Sequence, residues 1–163
     1  MWSRFPLTDQ ILNFLTDIGL PVRIADLAEP TFLPGVQMES GGLVVDLARL
    51  RYPGDLLHEA GHLALMEPAR RASANGDAGA DGGEEMGAIA WSYAAAIHLG
   101  LDPRAVFHPD GYRGGSDAII ENFAEGRYLG VPLLQWMGLT ADAKRAADQR
   151  IPAYPHMLRW LRE

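Results

Sequence analysis

The sequence predicts an α+β fold in which a small N-terminal antiparallel sheet is followed by a mainly helical remainder. Two apolar segments, residues 32–38 and 42–47, flank Glu39-Ser40-Gly41, and glycines at this point supply the positive φ of a tight hairpin. Residues 22–27 add a further strand, so we expect three strands before residue 50. Beyond that point apolar residues recur at helical spacing, and no internal repeat is visible.

The composition is that of one soluble domain, which we expect to cover residues 1–163. Apolar residues make up 48% and charged residues 21%, as in an average globular protein. The chain has no cysteine, which excludes disulfides, a thiol nucleophile and thiolate-held metals, so any metal must be held by histidine and carboxylate. A net charge of −7 argues against nucleic acid as a partner. With no signal peptide and no long apolar stretch, we expect a cytoplasmic protein without a membrane partner.

Helical patterns enclose the predicted sheet and continue after it. Residues 8–18 form the first helix, and residues 55–66 form the next, which ends before Pro68. Residues 68–83 carry no large apolar side chain, so we expect an exposed, mobile loop. A second strong helix follows at residues 84–99.

The second half of the chain is predicted to be helical around one long loop. Residues 101–115 are irregular and carry aromatic, histidine and arginine side chains, and such loops often carry function. Beyond them the pattern predicts helices at residues 117–129 and 140–149, a short apolar segment at 131–137 and an apolar tail at 151–161 that docks on the core.

One motif carries chemistry, the H-E-x-x-H sequence His58-Glu59-Ala60-Gly61-His62 within the helix at residues 55–66. Positions i and i+4 lie on one helix face, so both imidazoles can reach a single tetrahedral metal ion. Glu59 projects from the next position and can hydrogen-bond a water without binding the metal itself. The motif therefore predicts a metal site, with zinc as the expected ion.

Two histidines leave such a site incomplete. The metzincin pattern fails, because Leu65 and Pro68 stand where it needs glycine and histidine. Zinc sites of the His₂Glu kind take a glutamate from a following helix, and Glu84 and Glu85 open that helix, 22 and 23 residues beyond His62. Either of them can instead only stabilise the helix N-terminus. Two later acids are weaker candidates, Glu121 and Glu125.

The motif and the run that follows it resemble the gluzincin pattern, and are most similar to the compact bacterial metallopeptidases of the ImmA/IrrE type. In that family the third-ligand glutamate is followed three residues later by alanine and six later by an aromatic residue. Glu85, Ala88 and Trp91 match this spacing, so the resemblance favours Glu85 over Glu84. It covers roughly residues 35–100 and implies a zincin-like fold and a zinc-dependent peptidase.

The sequence departs from that family in its glycine-rich insertion and in lacking a helix-turn-helix partner domain. The HEAGH sequence is also found in ATP-dependent membrane proteases whose third ligand is aspartate. Asp117 would be the ligand in that case, but this chain has neither a transmembrane segment nor a P-loop.

In a catalytic site, zinc would lower the pKa of a bound water to around 7, and Glu59 would act as general base. One further donor would stabilise the oxyanion. The candidates all lie between residues 98 and 113: Tyr112, His108, Arg113 and His98.

Three functions compete at this point. The first is a zinc-dependent peptidase that hydrolyses peptide bonds in a peptide or protein substrate. The second is a non-catalytic, zinc-stabilised peptide-binding or regulatory protein, and the third is a structural module without metal. A purely structural zinc site has no use for Glu59, so its presence favours catalysis.

Overall fold

The computed structural model of the chain describes residues 5–76 and 82–163 and has an α+β architecture, as predicted. These residues form a three-stranded sheet and seven α-helices. In chain order the elements are α1 Pro6–Asp17, β1 Val22–Ile24, β2 Val36–Glu39, β3 Gly42–Val45, α2 Asp55–Leu65, α3 Pro68–Ala72, α4 Gly82–His98, α5 Ser116–Ala124, α6 Val131–Trp136 and α7 Ala143–Gln149. Among the described residues, no helix is long and apolar enough to cross a membrane.

The sheet is mixed, so the prediction that it is antiparallel was wrong for one of its two pairings. Strands β2 and β3 form the expected antiparallel hairpin, but β3 lies in the centre and β1 pairs parallel to it, with Val22 opposite Leu43. The tight turn dictates the direction of β2 against β3. The direction of β1 depends on the long connection over residues 25–35, which carries no local signal for it.

The hairpin turn shows why Gly41 is needed. Ser40 and Gly41 both have a positive φ, and a Cβ on Gly41 would lie 2.8 Å from the carbonyl oxygen of Arg71. The amide of Ser40 donates a hydrogen bond to the side chain of Asn75. The hairpin tip is therefore packed against the segment that follows α2.

Helix α2 is the centre of the molecule and packs face to face with α4. All of its residues except His58 are buried. Gly61 allows the close approach, because a Cβ there would lie 3.0 Å from the carbonyl oxygen of Ala88 on α4. Helix α4 is rich in buried alanines at this interface, which keeps the two backbones close.

The segment predicted as a loop at residues 68–83 begins with a helix, α3. Pro68 stands at its first position, where proline favours a helix start. Arg71 anchors the helix by donating hydrogen bonds to the carbonyl oxygens of Leu63 at 2.8 Å, Met66 at 3.0 Å and Arg162 at 2.7 Å. Composition did not predict this helix, because the guanidinium of Arg71, and not a large apolar side chain, anchors it. The predicted loop also covers residues 77–81, which lie outside the described residues.

Two hydroxyl groups in the C-terminal half of the chain bind backbone carbonyl groups of other segments. Ser116 donates to the carbonyl oxygen of His108 at 2.6 Å, and Thr140 donates to that of His156 at 2.7 Å. Helix α7 is capped by Asp142, whose carboxylate accepts from the amide of Arg145. Both hydroxyls therefore join separate chain segments.

The C-terminal tail docks on the core, as predicted. Tyr154 is buried and donates its hydroxyl hydrogen to the carbonyl oxygen of Ala90 at 2.7 Å. The indole of Trp91 donates to the carbonyl oxygen of Trp160 at 2.9 Å. Helix α4 is thus held by α2 on one side and by the tail on another.

Candidate metal centre

The two histidines of the H-E-x-x-H motif lie one turn apart on α2, and their Nε2 atoms both face the first turn of α4. Their rings meet edge to face with centroids 4.9 Å apart. Their side chains are 12% and 4% exposed for His58 and His62, respectively. Both imidazoles are therefore largely shielded from solvent, and each directs its Nε2 at the same point.

Glu85 supplies the carboxylate at that point. Its Oε2 lies 2.7 Å from Nε2 of His62, and its Oε1 lies 3.5 Å from Nε2 of His58. The three residues offer ligand atoms that all lie within 4.8 Å of one another. Two imidazole nitrogens and one carboxylate oxygen form the donor set of a His₂Glu zinc site, and within residues 5–76 and 82–163 no further histidine or carboxylate joins the cluster, so the group fits such an ion.

Glu84, the alternative to Glu85, has a different partner. Its carboxylate forms a bidentate ion pair with the guanidinium of Arg70 on α3. Adjacent residues on a helix point about 100° apart, so only one of the two glutamates can face α2. Here Glu85 meets the histidines while Glu84 ties α4 to α3.

Burial and neighbouring charges act in opposite directions on the pKa values of His58 and Glu85. Burial lowers the pKa of His58 to about 4, although the nearby Glu85 carboxylate acts in the other direction. Burial acts to raise the pKa of Glu85, but the hydrogen bond from His62 and the charges of His58, His62 and Arg113 outweigh it, so this pKa is lowered. At neutral pH the site therefore presents an uncharged His58 and an ionised Glu85, the forms that bind a metal.

Glu59 lies next to His58 on α2 but does not join the triad. It is only 3% exposed, and it forms part of the wall of a surface cleft of about 140 Å³. The opposite wall comes from the residues before and within β2. The lining residues are Pro30, Thr31, Phe32, Leu33, Val36, Gln37 and Gly76.

The outer edge of β2 is partly occupied by the chain itself. Strand β2 lies at an edge of the sheet, but Met38 exchanges two backbone hydrogen bonds with Gly76, of 2.8 and 2.9 Å. The amide of Val36 also donates to the carbonyl oxygen of Leu33 at 3.3 Å, so the chain itself pairs this edge at both Met38 and Val36, beside the cleft.

Tyr112 and His58 are in direct contact. The Tyr112 hydroxyl oxygen lies 3.0 Å from Nδ1 of His58, the ring nitrogen opposite to the one that faces Glu85. Burial raises the pKa of Tyr112 well above its ordinary value, and the carboxylates of Asp55, Glu85 and Glu59 add to this effect. The hydroxyl therefore stays protonated and lies behind the His58 ring, on the side away from the carboxylate.

His108 pairs with a residue that the sequence analysis overlooked. Its Nε2 lies 2.8 Å from Oδ1 of Asp55, the first residue of α2, and its ring stacks on Tyr52 with centroids 3.7 Å apart. Burial raises the pKa of Asp55, against the opposing effect of His108. Within the described residues, Oδ2 of Asp55 and Nδ1 of His108 are buried without a hydrogen-bond partner. Asp55 precedes His58 by three positions, and this helical spacing was the available signal.

The remaining candidates lie apart from the triad, except for Arg113. Arg113 is close enough to Glu85 to lower the pKa of its carboxyl. The ring of His98 packs against Phe14 and Trp160, at the far end of α4. Three candidate acids are exposed on or just after α5: Asp117, Glu121 and Glu125.

Comparisons of the chain with protein-family models, with curated proteins and with solved structures found no match. The resemblance to the ImmA/IrrE type therefore stays a prediction from the motif. What is known of the site rests on this chain's own residues.

Proposed function

We propose that the protein is a zinc-dependent peptidase with a zincin-like fold. The observation that carries this proposal is the convergence of His58, His62 and Glu85 on one point beside a cleft that Glu59 lines. A structural zinc site is normally closed by four protein ligands, whereas a catalytic site has three and keeps a position open. Among the residues that the structure describes, three donors converge, as in a site of the second kind.

The roles of the chain's own residues follow from their positions. His58, His62 and Glu85 would hold the ion, which supplies the Lewis acidity that activates water and polarises a carbonyl group. Glu59 is held beside the cleft by α2, next to the histidines, and would accept the proton of the attacking water and return it to the leaving amine. Burial of Glu59 at 3% exposure keeps this carboxylate in a defined position.

The cleft supports a peptide as the substrate. Apart from Glu59 its lining is uncharged, and Phe32, with 80% of its surface exposed, stands at the rim. An extended peptide could lie between the segment before β2 and the triad, where backbone groups and apolar side chains are both within reach. Because Met38 pairs with Gly76 and Val36 with Leu33, such a peptide would be held by the side chains that line the cleft and not by pairing with the edge of β2.

The test compares neighbouring glutamates that differ in their partners. Zinc content is measured by mass spectrometry after purification without chelator, and hydrolysis is measured on a mixed peptide library. We expect wild type to bind one zinc ion, Glu85→Gln to lose most of it, and Glu84→Gln, which loses the ion pair to Arg70, to retain it. Equal zinc binding by the two variants would contradict the proposed ligand set.

Catalysis is tested separately with Glu59→Gln. This variant should retain zinc and lose hydrolysis by about 100-fold or more, because a general base contributes that much. If the wild type binds zinc and cleaves no peptide in the library, the non-catalytic peptide-binding protein becomes the better description. If it takes up no zinc even on titration, the metal site itself is refuted.

A further inference from the structure

We propose that Tyr112 is a positioning residue that accepts a hydrogen bond from Nδ1 of His58 and thereby fixes the ring tautomer that presents Nε2 to the metal. The inference rests on the proposed function for its metal. The part that concerns the tautomer can be tested without any metal.

The contact geometry carries the inference. His58 has two ring nitrogens with different partners: Nε2 faces Oε1 of Glu85 at 3.5 Å, and Nδ1 faces the Tyr112 hydroxyl at 3.0 Å. A neutral imidazole carries one proton, and a nitrogen that binds a metal needs its lone pair. With Nε2 directed at the triad, the proton belongs on Nδ1, and the Tyr112 oxygen is the acceptor in contact with it.

The environment of Tyr112 is consistent with an acceptor. The phenol ring is held edge to face against His58 and tilted against Phe107, at centroid distances of 5.3 and 5.1 Å. The nearby Asp55 has a buried oxygen, Oδ2, that is without a partner in the described part of the chain, and its other oxygen is anchored by His108.

The backbone under Tyr112 is strained. Tyr112 and Arg113 have φ values of 55° and 54°, in the left-handed region that residues other than glycine rarely adopt. This conformation is unfavourable for residues other than glycine, and it persists only where surrounding contacts hold it. Two consecutive residues in this region direct one side chain at His58 and bring the next close to Glu85. The backbone conformation of this loop thus places two consecutive side chains next to the triad.

Tyrosine here takes the place of the more usual partner of a metal-binding histidine. Such histidines ordinarily donate their second N–H to a carboxylate, a backbone carbonyl or water, and loss of that partner weakens metal binding by about 10 to 100-fold. A neutral phenol orients the ring without adding a second negative charge to a site that already contains Glu85.

The test uses Tyr112→Phe, which keeps the ring and removes the hydroxyl. The matched control is Tyr52→Phe, which removes a hydroxyl that hydrogen-bonds Asp110 in the same region and touches no member of the triad. Two quantities are measured at neutral pH: the ¹⁵N chemical shifts of the His58 ring in metal-free protein, and the zinc affinity by competition with a chelator. Thermal unfolding shows that both variants fold.

We expect the His58 ring of Tyr112→Phe to shift toward the Nε2–H form relative to wild type and to Tyr52→Phe, because the partner of Nδ1 is lost. Zinc affinity should fall by about 10 to 100-fold in Tyr112→Phe and stay unchanged in Tyr52→Phe. An unchanged tautomer, or an unchanged zinc affinity, in Tyr112→Phe overturns the inference. If the wild type itself takes up no zinc, the proposed function fails, and the tautomer comparison still decides whether Tyr112 fixes the ring.

Discussion

The two sides of the candidate metal centre are built differently. The helical side consists of α2 and α4 and supplies His58, His62 and Glu85 from regular backbone. The loop side consists of residues 108–116 and supplies Tyr112 from a left-handed turn. The helical side owes its geometry to the helix period and to close packing, whereas long-range hydrogen bonds hold the loop side in place.

This difference predicts how each side responds to change. On the helical side a shift of one helix moves all its site residues together, because they share one rigid backbone. On the loop side each contact is separate, so a single hydroxyl or glycine can matter on its own. The three predictions below test this comparison, beginning with the largest expected effect.

The first prediction concerns Gly54, which directly precedes α2. It packs against residues 105–106, the segment before the loop side. A Cβ there would lie 1.9 Å from the carbonyl oxygen of Ala105 and 2.6 Å from Cα of Val106, both backbone atoms. Gly54→Ala should therefore lower the free energy of unfolding by about 3 kcal/mol, since backbone cannot move aside as a side chain can. Urea denaturation measures this change. Gly82→Ala is the control, because no atom of the described residues lies within 4 Å of a Cβ at that position. Equal stability of the two variants would show that residues 105–106 are not seated rigidly on α2.

The second concerns the pH dependence of the metal-free protein. The pKa of His58 is about 4 in the folded chain, below its ordinary value of about 6.5, so the unfolded chain binds more protons between these values. Stability from this group is complete above about pH 6.5 and is lost as the pH falls toward 4, by about 3 kcal/mol. Urea denaturation between these pH values, with chelator present, should show this loss in wild type and a smaller one in His58→Gln. Parallel curves for the two proteins would contradict the burial of an uncharged His58.

The third concerns Gly61, where α2 meets α4. Its Cβ would lie 3.0 Å from the oxygen and 3.3 Å from Cα of Ala88, so the helices need to separate by only a few tenths of an ångström. Gly61→Ala should lower the free energy of unfolding by about 1 kcal/mol, less than Gly54→Ala does. The same denaturation experiment compares them. If Gly61→Ala proves the more damaging, the helical side is the less tolerant of the two, and the comparison is reversed.

The sequence analysis succeeded where local periodicity decides structure. It placed the H-E-x-x-H motif on a helix and the two glutamates at the start of the next helix, as the structure has them. It failed for the direction of β1, because a strand's own pattern of side chains is the same in a parallel and an antiparallel pairing. It also missed α3, whose order comes from the hydrogen bonds of Arg71 to distant carbonyls.

In the candidate site, too, the sequence determines some features and the packing of the helices determines others. The one-turn spacing of His58 and His62 is a property of any α-helix, so the sequence by itself determined that both imidazoles share a face. Periodicity alone left Glu84 and Glu85 equivalent. Their distinction depends on how α4 is rotated against α2, and the structure directs Glu85 to the histidines and Glu84 to Arg70.

Only the tertiary structure decided what lies behind the ligands. Tyr112 meets His58 across 54 residues of sequence, and His108 meets Asp55 across 53. No local pattern encodes such pairs, because they depend on where a loop with left-handed backbone crosses the start of a helix. The sequence by itself determined the two histidine donors of the candidate metal centre, whereas the packing of α4 and of distant segments determined the third donor and the orientation of the rings.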